Sequence, residues 1–273
     1  MASNDSAQFQ YAKDLDGLEL LRARYQKQTF SRHVHEGYCV GVIQTGAQCF
    51  YRSGGNHIAP RNSIIMVNAD QVHDGYSADR ETGWSYSAMY PVPEMFEQAS
   101  RELERTGAPY FPEPVVHDPV MAQQLLEMFH ILEQSENSLE RQTSYLATMI
   151  SLLQRHGQQN PAALRQGQEP LAAVRVREYL DAHFNENVTL DELAQLVGLT
   201  PFYLARCFQR TFGLPPHAYQ VQRRIMHARR LIRLGVPLID VADSCGFTDQ
   251  SHLNRHFKKN MGITPGQYRR QCA

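Results

Sequence analysis

The sequence predicts an α+β chain in two parts: a strand-rich N-terminal sandwich or barrel with helices behind it, then an all-α C-terminal part. Three observations predict it. Short runs rich in β-branched and aromatic residues, punctuated by Gly, Asn and Pro, fill residues 18–90. Apolar residues at helical spacing replace them after Pro93. One motif, Leu-x-Arg-x-Phe and then a polar stretch ending in Gly, occurs as LARCFQRTFG (204–213) and again as LNRHFKKNMG (253–262).

The strand candidates are ELLRARYQKQTF, YCVGVIQTGAQCFYR, NSIIMVNA and GWSYSAMYP. Gly46, Gly54–Gly55 and Pro60–Arg61–Asn62 read as turns between them. Strands this short and this regularly spaced suit a sandwich or barrel. A short helix is expected over 94–105, followed by the Pro-rich connection PYFPEPVVHDP. Two longer helices follow across 120–156, with Leu125, Met128, Phe129 and Leu132 on one stripe and Leu139, Leu146, Met149, Ile150 and Leu153 on the other. The short SEN turn makes them an antiparallel pair. GQQNPAALRQGQEP, rich in Gln, Gly and Pro, reads as a linker. The expected organisation is therefore 1–156, a linker over 157–169, and 170–273.

Of the 273 residues, 42% are hydrophobic and 20% charged, ordinary values for a globular protein. No apolar run is long enough for a bilayer span, and MASNDSAQFQYAKD lacks the basic-then-apolar pattern of a secretory signal, so the cytoplasm is the expected compartment and no membrane partner is expected. Cys39, Cys49, Cys207, Cys245 and Cys272 include no C-x-x-C pair, which argues against a zinc ribbon or a disulfide framework. Net charge is −1, but the charge is divided. From Pro170 onward there are 14 Lys+Arg against 8 Asp+Glu, net +6, which leaves −7 for residues 1–169. An acidic first part and a basic last part suggest division of labour.

The repeated motif belongs to longer units, LDELAQLVGLTPFYLARCFQRTFG and LIDVADSCGFTDQSHLNRHFKKNMG, in which Gly198 matches Gly246 and Leu204 matches Leu253. Each reads as a short helix, a Gly-containing turn and a second helix, which is a helix-turn-helix. Thr189 with Glu192 fits a capping box, Thr200–Pro201 an N-cap with Pro in the first turn, and Pro237 opens the second unit. On the second helices, Leu204, Phe208 and Phe212, then Leu253, Phe257 and Met261, form core stripes. Phe202, Arg206, Gln209 and Arg210, then Ser251, His252, Arg255, Lys258 and Lys259, are left facing outward. Such faces suit phosphates and base edges; the plainer alternative is a solvated charge run. Between the units HAYQVQRRIMHARRLIRLG reads as one helix of roughly 27 Å, close to the ~34 Å between major-groove faces on one side of a duplex. One chain then carries two reading heads.

Residues 170–270 resemble the AraC/XylS family of transcription regulators. The resemblance rests on LAQLVGLTPFYLARCFQRTFGLPPHAYQ, RRIMHARRLIRLG and IDVADSCGFTDQSHLNRHFKKNMGITPGQYRR. It implies a bipartite DNA-binding domain, with base-facing positions at Phe202, Ala205 and Arg206 and at Gln250, Ser251, Asn254 and Arg255. Arg206 and Arg255 have a second reading as ion-pair braces. RHVHEGYCVGVIQTGAQCFYR, NSIIMVNADQVHDGYS and GWSYSAMYP resemble the family's sensor, which implies a cupin-like β-barrel with dimerisation helices; Ala69–Asp70 stands where relatives usually have Pro-Gly.

His33 and His35 alternate on a strand and His73 could join them, a set able to hold a metal in cupin enzymes. The enzyme-type motif resembles His-x-His with Glu four residues on, and that position here is Cys39, so polar wall residues are the favoured reading and no metal, cofactor or catalytic residue is expected. The resemblance places GWSYSAMY along the pocket, with Trp84 and Tyr86 of one parity. Tyr38 is a further lining candidate, with a core aromatic as the alternative for it and Trp84. Arg22 and Arg24 share a strand face and either could clamp a carboxylate. The expected function is a ligand-responsive, sequence-specific transcription regulator. Its expected partners are double-stranded DNA, a small polar effector and a second copy of the chain, with RNA polymerase as a further candidate. The alternatives are a cupin-type metalloenzyme with a DNA-binding appendage and a ligand-independent regulator.

Overall fold

The computed structural model describes residues 5–159 and 171–272. Most of the linker expected over 157–169 lies outside them. The chain forms two compact units, one built chiefly on the elements before residue 160 and one chiefly on those after residue 170.

The chain opens with strands β1 (Ser6–Ala12), β2 (Leu18–Tyr25), β3 (Phe30–His33), β4 (Cys39–Arg52), β5 (Gly55–Pro60), β6 (Ile64–Val67), β7 (His73–Ser77) and β8 (Trp84–Tyr90), all in the first unit except β3, which falls with the second. Helix α1 (Pro93–Glu102), the two-residue strands β9 (Pro109–Tyr110) and β10 (Val115–Val116), and helices α2 (Pro119–Gln134) and α3 (Ser138–His156) follow. A last short strand, β11 (Gln158–Gln159), pairs with β9, so the first residues assigned to a linker belong to this unit. α1 stops short of residue 105 because Glu104 adopts a left-handed conformation (φ 55°) and the Arg105 N–H returns to the Ser100 carbonyl.

The main sheet runs β1-β2-β8-β4-β6-β10, with antiparallel pairing throughout this path. β4, 14 residues long, organises it. Its first half pairs with β6 and β8, its second half with β5 and β7, and a bulge between Ile43 and Thr45 divides the two. An extra residue at a bulge bends the strand and increases its twist, which lets one strand serve both halves of a curled sheet. Asp70 takes φ 56°; Asp is among the few non-Gly residues that tolerate this region.

Register separates the two faces. Leu18, Leu20, Val40, Val42, Ile64, Met66 and Met89 pack with Phe96, Phe111 and the stripes of α2 and α3 (Met121, Leu125, Met128, Phe129, Leu132, Met149, Leu152, Leu153). The other face carries Leu21, Ala23 and Tyr25 opposite Ala88, Tyr86 and Trp84. Asp118 starts α2 by accepting the Met121 N–H at 3.0 Å, and it also receives Arg155 at 2.7 Å and His156 at 2.9 Å from the end of α3. The Arg155 hydrogen bond holds its carboxyl well below the usual carboxylate range.

The second unit is helical: α4 (Leu171–Ala182), α5 (Leu190–Val197), α6 (Pro201–Phe212), α7 (Pro216–Arg233), α8 (Leu238–Ser244), α9 (Gln250–Met261) and α10 (Pro265–Cys272). Thr189 and Glu192 form the capping box of α5, and Gly198 ends that helix at φ 67°. Thr200 caps α6 with Pro201 in its first turn. Ala173, Val176, Leu180, Leu193, Ala194, Leu204 and Phe208 make the core of α4–α6. Val241, Ala242, Phe247, Leu253, Phe257, Ile263 and Tyr268 are buried around α8–α10, and α7 packs on both groups. No described helix is long and apolar enough to cross a membrane.

Candidate functional site

The two helix-turn-helix units present α6 and α9 alike. On α6, Leu204 and Phe208 are buried while Phe202, Arg206 and Arg210 are exposed and Ala205 is half-buried. On α9, Leu253, Phe257 and Met261 are buried, Gln250, Ser251, Arg255, Lys258 and Lys259 are exposed, and Asn254 is half-buried. All ten positions expected to meet DNA thus lie on the two second helices, off their core stripes.

Phe202 is 72% exposed, and the Arg206 guanidinium lies 5.6 Å from its ring centroid. Among the described residues no ion pair engages Arg206, Arg210, Arg255, Lys258 or Lys259. The bracing role open to Arg206 and Arg255 is therefore not filled by an acidic partner. Asp249, which the sequence reading passed over, caps α9 by accepting the His252 N–H at 2.7 Å. An acidic residue three positions before a helical N–H was the available signal.

Further along α9, the His256 ring meets that of His252 edge-on, with centroids 4.7 Å apart. Burial lowers its pKa to about 4, helped by the positive field of His252, Arg255, His217 and Lys259.

In the sheet unit the expected lining residues separate by parity. Trp84 and Tyr86 lie on the face opposite the helices; Trp84 is 1% exposed, with its ring 5.3 Å from Tyr25. Burial drives the Tyr86 hydroxyl well above its ordinary pKa, so it stays a neutral donor and acceptor. Cys39 shares this face, and burial pushes its thiol up to about 12. Gln48 lies on the same strand face beyond the bulge, paired with Ala59 and Ser77. The Trp84 indole N–H and the Gln48 carbonyl oxygen, both buried, find no hydrogen-bond partner among the described residues.

Three expected lining residues lie apart from Trp84 and Tyr86. Arg22 and Arg24 pair across from Ser87 and Ser85, the parity opposite to Tyr86. Arg24 is exposed, while Arg22 forms an ion pair with Glu133 of α2 and lines a cavity of about 130 Å³ with Gln8, Gln10, Leu20, Glu133 and Gln134. Tyr38 is a core aromatic: its ring meets Phe96 at 4.7 Å and Phe111 at 5.8 Å, and its hydroxyl donates to the Pro109 carbonyl at 2.6 Å.

Of the three histidines, His35 and His73 lie in the first unit and His33 in the second. The Nδ1 atoms of His33 and His73 lie 2.7 and 2.9 Å from the carbonyls of Ser31 and Gln71. The His35 ring sits 4.9 Å from His73 and 5.1 Å from Tyr90.

A sheet-rich domain with a buried, aromatic-lined face, joined to two matched helix-turn-helix units, defines a transcription regulator with a ligand-binding domain and a DNA-binding domain. Residues 17–149 match the AraC-like ligand binding domain, and residues 193–271 match a helix-turn-helix domain. The chain belongs to the AraC family of regulators. It is 29% identical over 238 residues to the HTH-type transcriptional regulator YbfI of Bacillus subtilis (strain 168), covering 86% of each chain. It is 22% identical to the arabinose operon regulatory protein of Escherichia coli (strain K12), covering 87% of this chain and 82% of that one. The fold resembles the crystal structure of ToxT from Vibrio cholerae O395, with a TM-score of 0.57 at 13% identity over 94% of this chain and 99% of that one.

Proposed function

We propose that α6 and α9 read neighbouring major-groove windows of one duplex while the sheet unit binds a small polar effector that shifts the protein between DNA-binding states. The observation that carries the reading is the pair of exposed faces on α6 and α9, whose cations have no acidic partner among the described residues. Phe202, Ala205, Arg206, Gln250, Ser251, Asn254 and Arg255 meet base edges, and Arg210, Lys258 and Lys259 meet phosphates.

The effector site is assigned to Trp84, Tyr86 and Cys39, with His35 and His73 as polar wall. The unpartnered Trp84 N–H and Gln48 oxygen supply a donor and an acceptor for a neutral polar ligand. The protein acts as a regulator and not as an enzyme: where the enzyme-type motif has a carboxylate this chain has Cys39, whose buried thiol holds its proton. It works in the cytoplasm as a homodimer, paired through the exposed residues of α3, and meets RNA polymerase where its site adjoins a promoter.

Binding to a duplex selected from a randomised pool, compared with a scrambled duplex, tests the DNA reading. Arg255→Ala should lower affinity for the selected duplex by about 1–3 kcal/mol and leave the scrambled one nearly unchanged. Lys258→Ala should weaken both and reduce the salt slope by about 1. Equal losses on both duplexes for both variants would refute the assigned roles. For the effector site, a metabolite that raises Tm should also change the fluorescence of Trp84, the one tryptophan of the chain. Elemental analysis that finds stoichiometric iron, manganese or zinc would favour the metalloenzyme reading instead.

A further inference from the structure

Helix α7 carries three polar side chains at alternate positions, Gln220, Gln222 and Arg224, and all three are buried, at 5%, 6% and 7% exposure. Buried polar groups on a connecting helix need a reason, because apolar residues of similar volume would hold it in place as well. Their hydrogen bonds supply one. Gln220 Nε2 donates to the Glu186 carbonyl at 2.8 Å, within the loop that leads into α5. Gln222 Nε2 donates to Asn260 Oδ1 of α9 at 2.5 Å.

Arg224 alone of the three reaches both sides. Its Nε donates to the Phe184 carbonyl at 2.7 Å and one Nη to the Glu186 carbonyl at 2.8 Å. The other Nη donates to the Gly246 carbonyl at 2.5 Å, in the turn between α8 and α9. No carboxylate takes part: a planar, rigid fork meets three backbone carbonyls drawn from two helix-turn-helix units. The same loop and turn also touch directly. A Cβ on Gly246 would lie 2.1 Å from the Asn185 carbonyl, so only glycine fits there.

We propose that Arg224 is a specificity-determining residue for DNA: by tying the entry loop of the first unit to the turn of the second, it fixes the separation and rotation of α6 relative to α9 and so restricts the protein to one spacing of half-sites. The inference rests on the reading of α6 and α9 as paired recognition helices. A 1-bp insertion between half-sites shifts one of them by ~3.4 Å and roughly 35° about the duplex axis. A locked pair of helices cannot follow that displacement; a pair joined by α7 without the fork can.

The test uses the full chain and a duplex it selects from a randomised pool, together with versions of that duplex carrying 1 bp inserted or deleted between the two protected half-sites. The wild type should lose at least about tenfold in affinity on each altered duplex. Arg224→Met should bind the selected duplex more weakly, but its loss on the altered duplexes should shrink to about threefold or less. Arg224→Lys, which keeps the charge without the fork, should fall between them. Circular dichroism and Tm report whether each variant is folded. A spacing penalty that stays tenfold in Arg224→Met, whatever happens to the overall affinity, would assign Arg224 to stability alone and overturn the proposal. So would a wild type indifferent to spacing, or both variants failing to fold. If the wild type selects no duplex at all, the DNA reading itself fails, which is a separate outcome.

Discussion

At the scale of single residues, the environment of each side chain decides what its chemistry can do. His256 lies on the recognition helix α9, where burial and the surrounding positive groups lower its pKa to about 4. Its unfolded value is ~6.5. The folded state therefore resists a proton that the unfolded state accepts. The resulting stability is complete above about pH 6.5 and is lost as pH falls towards 4. His256→Gln should flatten the fall in Tm between pH 6.5 and 4 while leaving the pH 8 value within a few degrees, which a thermal-melt series would read. A fall in Tm as steep as that of the wild type would mean that other groups carry the acid sensitivity. Arg22 and Arg24 teach a different lesson at this scale. Strand alternation placed them correctly on one face, but which face is inner depends on α2, whose Glu133 is more than a hundred positions away. Alternation gives parity; only the packing partner gives its meaning. Tyr38 was ambiguous for the same reason, since the Phe96–Phe111 cluster that claims it is built from distant chain.

At the scale of elements, the two helix-turn-helix units were legible because their signals are local. The Thr189–Glu192 capping box, Thr200 with Pro201, and the glycines at 198, 213 and 262 are each read within a few residues, and the structure uses each of them as a cap. The strands were harder. Their pairing order, the bulge in β4 and the junction of β9 with β11 are set by contacts far apart in sequence, for which a local pattern holds little information. Asp249 shows that a local cap can still be overlooked inside a motif read for another purpose. Asp249→Ala should cost about 1 kcal/mol of stability, as caps commonly do, because the His252 N–H loses its acceptor. Removing this negative charge from the start of a DNA-facing helix should not weaken nonspecific DNA binding. Denaturant titration checks the first effect and binding to a scrambled duplex the second; a stability unchanged within about 0.3 kcal/mol would remove Asp249 as a cap.

At the scale of the whole molecule, charge and apolar surface are divided between two jobs. The net +6 of the C-terminal part suits a duplex, and the exposed residues of α3 are where the proposed homodimer would pair. On that helix Met149, Leu152 and Leu153 are buried against the sheet and α2, whereas Leu139 is 73% exposed and Leu146 43%, seven residues apart on a common stripe. A seven-residue spacing keeps two side chains on one helix face, the geometry by which a partner helix is engaged. The proposed dimer would join two double reading heads in one particle, so the affinity for a site with two copies of the half-site pair would gain from effective concentration without any new contact to DNA. Leu146→Glu places a charge in that stripe without opening a cavity, because the side chain is already partly in solvent. The variant should keep the wild-type Tm within about 2 °C and sediment at half the wild-type mass. It should also lose at least about tenfold in affinity on a tandem duplex while binding a single-copy duplex normally. A variant that still sediments with the wild type, or one that loses affinity equally on both duplexes, would show that this face of α3 is not where two copies meet.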